Sequence, residues 1–180
     1  RQWIEEQMSL FLRTQSVYTV SGGARGVDQA IHDLSLRLQV PTVVVLPSGL
    51  GHVYPSSLFP WLDMIVEQGG AIISEYDDSV SMKKHLFHQR NRLIPALSLV
   101  TLVIDAKIKS GTVMTAHQAM NQGRPLWVLP SHPLDLHAQG GLQLLFDGAQ
   151  MIRDAQDLNL LYETEFQYTL PKELNHSLFS

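Results

Sequence analysis

Short, continuous apolar runs alternate along the chain with longer stretches in which apolar residues recur at helical spacing. The runs are typical of β-strands, the longer ones of strands covered on both faces, and they predict strands at residues 17–20, 42–46, 71–74, 99–105, 126–129 and 150–152. The helical spacing predicts helices at residues 3–12, 27–38, 57–68, 90–97, 111–122, 141–147 and 155–161. Residues 75–88 are polar and lack clear periodicity, which predicts a functional or mobile connection.

Strands that alternate with helices indicate an α/β fold. We expect a doubly wound, mostly parallel sheet with helices on both faces, which makes three layers in a single domain. Residues 1–162 are predicted to form this domain, and the acidic, weakly patterned residues 163–180 a C-terminal tail or linker. Because ligands of such sheets bind beyond the carboxyl ends of the strands, the loops that follow strands are the expected positions of functional residues.

The composition fits one domain and narrows the classes of function. The chain has 180 residues, of which 44% are apolar, and this is enough for a sizeable core. It contains no cysteine, which excludes disulfides and cysteine-ligated metals and suits the reducing cytoplasm. It also has no run of about eighteen apolar residues, so we expect no membrane span.

Basic charge is concentrated in one segment of an otherwise acidic chain. The sequence has 13 Lys and Arg residues against 17 Asp and Glu residues, a net charge of −4. Residues 83–124, however, contain seven of the cations and a single acid, Asp105. Cations placed together in this way can focus a local field on one anionic ligand even when the net charge is negative.

The glycine-rich turn at residues 21–26 joins a predicted strand to a predicted helix. Its glycines permit close approach of the backbone, and the helix that follows Gly26 offers unpaired N–H groups to an anion. Arg25 would add a fork of donors suited to phosphate. A tight turn with a solvated arginine explains the motif equally well, and the turn matches neither a dinucleotide-binding nor a triphosphate-binding fingerprint.

A second loop of this kind spans residues 105–112. Ser110 or Thr112 could cap the next helix, while Gly111 would allow close approach to a phosphate. Capping alone is the simpler role for Ser110. Two helix N-termini that can bind an anion, both at one edge of a sheet, indicate an anion-binding site more strongly than either does alone.

A third basic cluster, at residues 88–92, precedes the apolar run at residues 99–105. Arg90 and Arg92 are two residues apart, so on a helix they cannot share one face. We expect one arginine to meet the ligand and the other to pair internally, with Glu75 or Asp105. Phe87 is either a core residue or, if exposed, a platform on which an unpaired base stacks.

Hydrolytic chemistry finds little support. His85 and His88 lie three residues apart, but no third ligand is evident, which favours surface histidines over a metal pair. The chain has no G-x-S-x-G or H-E-x-x-H motif. Asp28, Glu75 and Asp105 could form a carboxylate cluster, but ion-pair partners for the arginines are the more economical interpretation. The sequence therefore predicts no catalytic residue, metal or cofactor.

An ordered set of motifs runs through most of the chain. The first is Ser-Gly-Gly-Ala-Arg-Gly-Val-Asp at residues 21–28, with His32 after it. The later motifs follow in the same order, namely Gly49-Leu50, Tyr54-Pro55, Ile73-Ser74-Glu75-Tyr76, Phe87, Arg90-Asn91-Arg92, Val103-Ile104-Asp105-Ala106, Ser110-Gly111-Thr112, Gln122-Gly123-Arg124 and Asp147-Gly148-Ala149. Over approximately residues 17–152 this ordered set, which is more specific than any one motif, resembles the DprA/Smf DNA-processing family.

This resemblance implies a Rossmann-like domain that binds single-stranded DNA in a basic pocket, protects incoming DNA and helps to load the RecA recombinase in natural transformation. It also implies a homodimer, and a first strand that precedes Arg1, without which the sheet lacks a central strand. Matched by motif position, the residues expected to bind DNA or its phosphates are Arg25, Gly26, Lys84, Phe87, Arg90, Asn91, Arg92, Ser110 and Gly111.

Two other hypotheses belong to different classes. The first is a small-nucleotide sensor or nucleotide N-glycoside hydrolase of a related Rossmann-like group. Those hydrolases resemble P-G-G-x-G-T-x-x-E, in which the Glu works at the glycosidic bond. Here Thr115 occupies that place, so hydrolysis is not expected. The second is a pure assembly module with no affinity for nucleotides or DNA.

Overall fold

The structure, a computed structural model, describes residues 1–135 and 138–167. Its strands are β1 (Thr19–Ser21), β2 (Thr42–Val45), β3 (Ala71–Ile73), β4 (Thr101–Val103), β5 (Leu126–Val128) and β6 (Gln150–Met151). Its α-helices are α1 (Ser9–Thr14), α2 (Val27–Arg37), α3 (Leu62–Glu67), α4 (Lys84–Arg90), α5 (Leu93–Ala96), α6 (Gly111–Asn121), α7 (Gln139–Phe146) and α8 (Ala155–Tyr162). A π-helical turn, Ile4–Met8, leads into α1, and 3₁₀ helices cover Leu50–His52 and Ser56–Trp61.

The strands form two parallel three-stranded sheets. Their orders are β1-β2-β3 and β4-β5-β6. In the first sheet Val20 pairs with Val43, and in the second Leu102 pairs with Trp127. Every strand pair in the described ranges is parallel. The predicted α/β class, with parallel strands in one domain, is therefore confirmed, whereas the expected single sheet is divided in two.

A groove of about 790 Å³ lies between the two sheets. The edge strands β1 and β4 both line it, with residues 19–21 and 101–103 respectively. Phe11 and Leu12 of α1 and Leu158 of α8 add apolar side chains to the lining. Because the described sheets end at β1 and β4, the main-chain groups on these two edges have no strand partner across the groove.

Buried apolar clusters join the helices to both sheets. The first cluster brings Leu34 of α2 together with Trp127 of β5 and Ile152, and so connects elements packed on the two sheets. Each sheet also has a cluster of its own, around Val44 in the first and Val128 in the second. Burying one such side chain contributes about 1.5–3 kcal/mol, so the first cluster holds the two sheets together and the other two hold helices on their own sheet.

The polar segment between β3 and β4 is more regular than its sequence predicts. Residues 75–88 were expected to be irregular, but α4 begins within them at Lys84 and ends at Arg90. The helix expected at residues 90–97 is reduced to α5. Pro95 lies in the first turn of α5, where its missing N–H costs no helical hydrogen bond.

Residues 163–167 continue α8 as a π-helical turn and pack against the domain. The ring centroid of Phe166 lies 6.5 Å from that of Trp127 and 5.5 Å from that of Tyr162. The indole N–H of Trp127 donates to Glu165 over 3.4 Å. Glu165 and Phe166 thus contact Trp127, and residues 168–180 of the predicted tail fall outside the described residues.

Candidate functional site

The loops that follow β1 and β4 meet beside the end of α4. Nη1 of Arg90 donates to the carbonyl oxygen of Gly22, in the first loop, over 2.8 Å. The next residue, Asn91, lies against Gly111, in the second loop, since a Cβ on Gly111 would be 3.6 Å from Asn91 Nδ2. Six of the nine predicted site residues line this part of the groove, namely Arg25, Gly26, Phe87, Asn91, Ser110 and Gly111.

A carboxylate fixes the first loop. Oδ2 of Asp28, in the first turn of α2, accepts hydrogen bonds from the backbone N–H groups of Gly22 and Ala24, over 3.2 and 3.1 Å. Those two amides are therefore not available to a bound anion. What this loop offers to a ligand is the exposed side chain of Arg25 and the amino end of α2, where Gly26 supplies no capping side chain.

Arg90 lies inside the protein, which changes the role predicted for it. Its side chain is 1% exposed. Besides the bond to Gly22, its guanidinium donates to the carbonyl of Val45, at the end of β2, and to Oδ1 of Asn91. Burial lowers the pKa of Arg90 to about 10, and the negative charge of Asp28 partly opposes this change. Arg90 thus ties the first loop to β2 and α4 instead of facing the groove.

Arg92 and Lys84 lie outside the groove. Arg92 forms an ion pair with Glu75, which is one of the two partners expected from the sequence. Its backbone carbonyl accepts a hydrogen bond from the Gln122 amide over 3.0 Å. Lys84 is exposed at the first position of α4. A DNA strand would reach either residue only by continuing past the groove.

Phe87 is half-buried and forms part of an aromatic cluster. The guanidinium carbon of Arg90 lies 5.0 Å from the centroid of the Phe87 ring. On another side, the ring of Tyr54 meets it edge-on, with centroids 5.9 Å apart and an angle of 86° between the planes. These contacts hold the ring in one orientation while it still lines the groove.

The second loop is built around a helix cap. Oγ of Ser110 accepts a hydrogen bond from the N–H of Val113 over 3.3 Å, so Ser110 caps α6. Lys107 and Thr112 also line the groove, although the sequence did not single them out as site residues. The available signal for Lys107 was its position in a strand-to-helix loop within the basic segment.

The charge of the groove is balanced more closely than the sequence predicts. Arg25 and Lys107 line it, but so do Asp28 and Asp105. The charge of Asp28 is partly offset by two backbone N–H groups and by Arg90 behind it. The positive field available to a ligand is therefore local to Arg25 and Lys107.

The described ranges contain neither a membrane-spanning helix nor a cluster of metal ligands. None of the helices there is long and apolar enough to cross a membrane. No group of three or more His, Cys, Asp or Glu side chains in these ranges is placed to hold a metal ion. His85 and His88, both exposed on α4, do not combine with a third such side chain.

A match to a protein-family model classifies the chain. The model of DNA recombination-mediator protein A matches residues 1–163. The chain belongs to this family. The resemblance to DprA/Smf proteins is therefore confirmed, because the curated relatives carry those names.

Two curated relatives show how much of a family member the chain covers. It is 35% identical over 153 residues to DNA processing protein DprA of Bacillus subtilis, which covers 84% of this chain and 51% of that protein. It is 33% identical over 147 residues to protein Smf of Escherichia coli, which covers 82% of this chain and 39% of that protein. The chain thus spans about half the length of these relatives or less.

Two solved structures share the fold. DNA processing protein A from Streptococcus pneumoniae superposes with a TM-score of 0.79 at 30% identity, covering 88% of this chain and 55% of that one. DNA processing protein A from Helicobacter pylori gives a TM-score of 0.73 at 32% identity, covering 87% and 73%. The Helicobacter pylori structure concerns a unique mode of binding single-stranded DNA.

Proposed function

We propose that this chain binds single-stranded DNA, without altering it chemically, where the loops after β1 and β4 meet. The observation that carries the proposal is that Arg25, Phe87 and Lys107 line one groove although they are distant in the sequence. Two cations and an aromatic ring supply the two interactions that unpaired strands require, namely phosphate neutralisation and base stacking. Family membership and the single-stranded DNA bound by the Helicobacter pylori relative support the same reading.

The binding mechanism follows from the roles of these side chains. The Arg25 guanidinium forms a fork of donors for one phosphate, next to the uncapped amino end of α2. Lys107 attracts a second phosphate from the opposite loop as a point charge. A base between or beside them stacks on Phe87, which contributes about 1–3 kcal/mol without regard to base identity.

The cellular role that we propose is the one expected from membership of the family. The chain protects incoming DNA and assists RecA loading in natural transformation, in the cytoplasm and as a homodimer. It requires no metal or cofactor for this, because phosphate attraction and stacking are properties of its own side chains. The nucleotide hydrolase alternative requires a carboxylate at position 115, and Thr115 supplies none. The Thr115 hydroxyl instead donates to the Gly111 carbonyl over 3.0 Å.

Fluorescence anisotropy tests the proposed function. Labelled single-stranded and duplex oligonucleotides of equal length would be titrated at two salt concentrations. We expect the single strand to bind more tightly than the duplex and both to weaken at the higher salt. Equal affinity for strand and duplex, or no binding at all, contradicts the proposal. Release of free base from nucleoside monophosphates, followed by chromatography, would instead indicate the hydrolase.

A further inference from the structure

Tyr54 presents an aromatic ring at the margin of the proposed DNA site. It lies between two 3₁₀ helices, Leu50–His52 and Ser56–Trp61, and its side chain is 40% exposed. Its backbone is well anchored, because the next segment hydrogen-bonds from Leu58 N to Pro55 O and Leu58 is fully buried. The ring is thus held at the surface on a rigid support, and the core does not depend on it.

The ring of Tyr54 continues the stacking surface that Phe87 begins. The two centroids are 5.9 Å apart, while Tyr54 itself does not line the groove. The Tyr54 hydroxyl makes no hydrogen bond within the described part of the chain, so the position of the ring depends on its contact with Phe87 and not on the hydroxyl. The other exposed aromatic of this region, Phe59, lies on the following 3₁₀ helix and makes no ring contact with Phe87 in the described structure.

We propose that Tyr54 is a second stacking surface, on which the nucleotide next to the one on Phe87 places its base. This proposal rests on the proposed function and deepens it. The two rings are nearly perpendicular, at 86°. Bases stacked on both rings are turned away from each other, and neighbouring bases of a duplex cannot adopt this arrangement while they remain paired and parallel. Tyr54 therefore selects unpaired strand.

The test compares two probes on two variants of Tyr54. The probes are a labelled thymidine oligonucleotide and a strand of the same length made of abasic sugar-phosphate units. Tyr54→Ala is expected to weaken binding of the thymidine strand by about 5- to 160-fold, the range that the loss of one stacked base gives. Binding of the abasic strand and the salt dependence should not change, because no cation is lost. Tyr54→Phe should bind like the wild-type chain.

A double-mutant cycle separates stacking from mere support of Phe87. If Tyr54 holds its own base, Tyr54→Ala weakens thymidine binding to a similar degree in the wild-type and Phe87→Ala backgrounds. If Tyr54 only orients Phe87, Tyr54→Ala has no effect once Phe87 is removed, and the proposal is overturned. Phe146→Ala serves as the matched control, since this ring is 89% exposed at the end of α7, away from the groove.

The outcomes also distinguish this proposal from the proposed function. Wild-type binding that Arg25→Ala weakens and Tyr54→Ala leaves unchanged overturns the role of Tyr54 alone. An equal loss on thymidine and abasic strands overturns it as well, because a base is then not involved. A wild-type chain that binds no single strand overturns the proposed function and the role of Tyr54 together.

Discussion

At the scale of single residues, burial decides what a cation does. Arg90 belongs to the same short motif as Asn91 and Arg92, and the sequence offers no means of telling which arginine points inward. Helical geometry alone predicts that the two arginines diverge, and they do. The carbonyls of Gly22 and Val45 that receive the guanidinium come from distant parts of the chain. Only the tertiary structure could identify them.

Arg90→Ala is expected to act on stability. The substitution leaves the two carbonyl oxygens inside the protein without their donor, at a cost of about 1–3 kcal/mol each. We therefore expect the free energy of unfolding to fall by about 2–6 kcal/mol in urea denaturation. The salt dependence of DNA binding by the folded variant should remain that of the wild type. A variant of normal stability with a reduced salt slope would show that Arg90 contacts phosphate after all.

His32 predicts a dependence of stability on pH. Its side chain is buried, Nδ1 lies 2.7 Å from the Thr42 hydroxyl, and Nε2 has no partner among the described residues. Burial lowers the pKa of His32 to about 4, from an ordinary value of 6.5. The unfolded chain therefore binds this proton more readily, so the stability is complete above pH 6.5 and is lost as the pH falls toward 4.

The size of this effect follows from the difference between the two pKa values. It is on the order of 3 kcal/mol across that interval. Urea denaturation at a series of pH values should show the loss, and His32→Gln should remove most of it while leaving the contribution of carboxylates in place. An identical pH profile for the variant and the wild-type chain would mean that His32 titrates normally in the folded state.

At the scale of elements, the strands could be predicted from the sequence, but the segments that form the candidate site could be predicted only in part. The run at residues 42–46 contains β2 because four successive β-branched residues fit a strand buried on both faces. The helix α4 was missed because its sequence is polar, and because Lys83, at its start, provides no capping side chain. Of the two residues that could cap α6, Ser110 and Thr112, it is Ser110 that does so; the signal for a cap is local, which is why the sequence could narrow the choice to these two.

The packing of α7 against the second loop provides a prediction at this scale. A Cβ on Gly140 would lie 2.7 Å from the carbonyl oxygens of both Ala106 and Lys107. Gly140→Ala must therefore displace the loop that carries Lys107, and we expect it to cost about 1–3 kcal/mol of stability and to weaken DNA binding. Anisotropy and thermal unfolding would measure the two effects.

The neighbouring glycine is the matched control. A Cβ on Gly141 would meet its nearest atom, of the Val128 side chain, at 3.5 Å, which is an ordinary contact. Gly141→Ala should accordingly leave both stability and DNA binding close to the wild type. If the two variants behave alike, the position of the second loop does not depend on α7.

At the scale of the whole molecule, the division of the sheet is the main difference from the simple α/β prediction. Composition and periodicity predict one parallel sheet, whereas the structure has two, with β1 and β4 as facing edges of a groove. The domain boundary at residue 162 stays a prediction. The convergence of the loops that follow β1 and β4 could be predicted from the sequence, because loops after parallel strands meet at one edge, but the placement of Asp28 and Asp105 beside the cations of the groove could not.

The salt dependence of DNA binding tests the central claim most directly. The logarithm of the affinity for a labelled thymidine strand would be plotted against the logarithm of salt concentration for the wild-type chain, Arg25→Ala and Arg13→Ala. Arg13 is exposed on α1 and does not line the groove. Arg25→Ala should weaken binding and reduce the slope by about 0.7 to 1, because one phosphate contact is lost. Arg13→Ala should match the wild type. An unchanged slope for Arg25→Ala, or the same loss in both variants, would contradict a specific phosphate site in the groove.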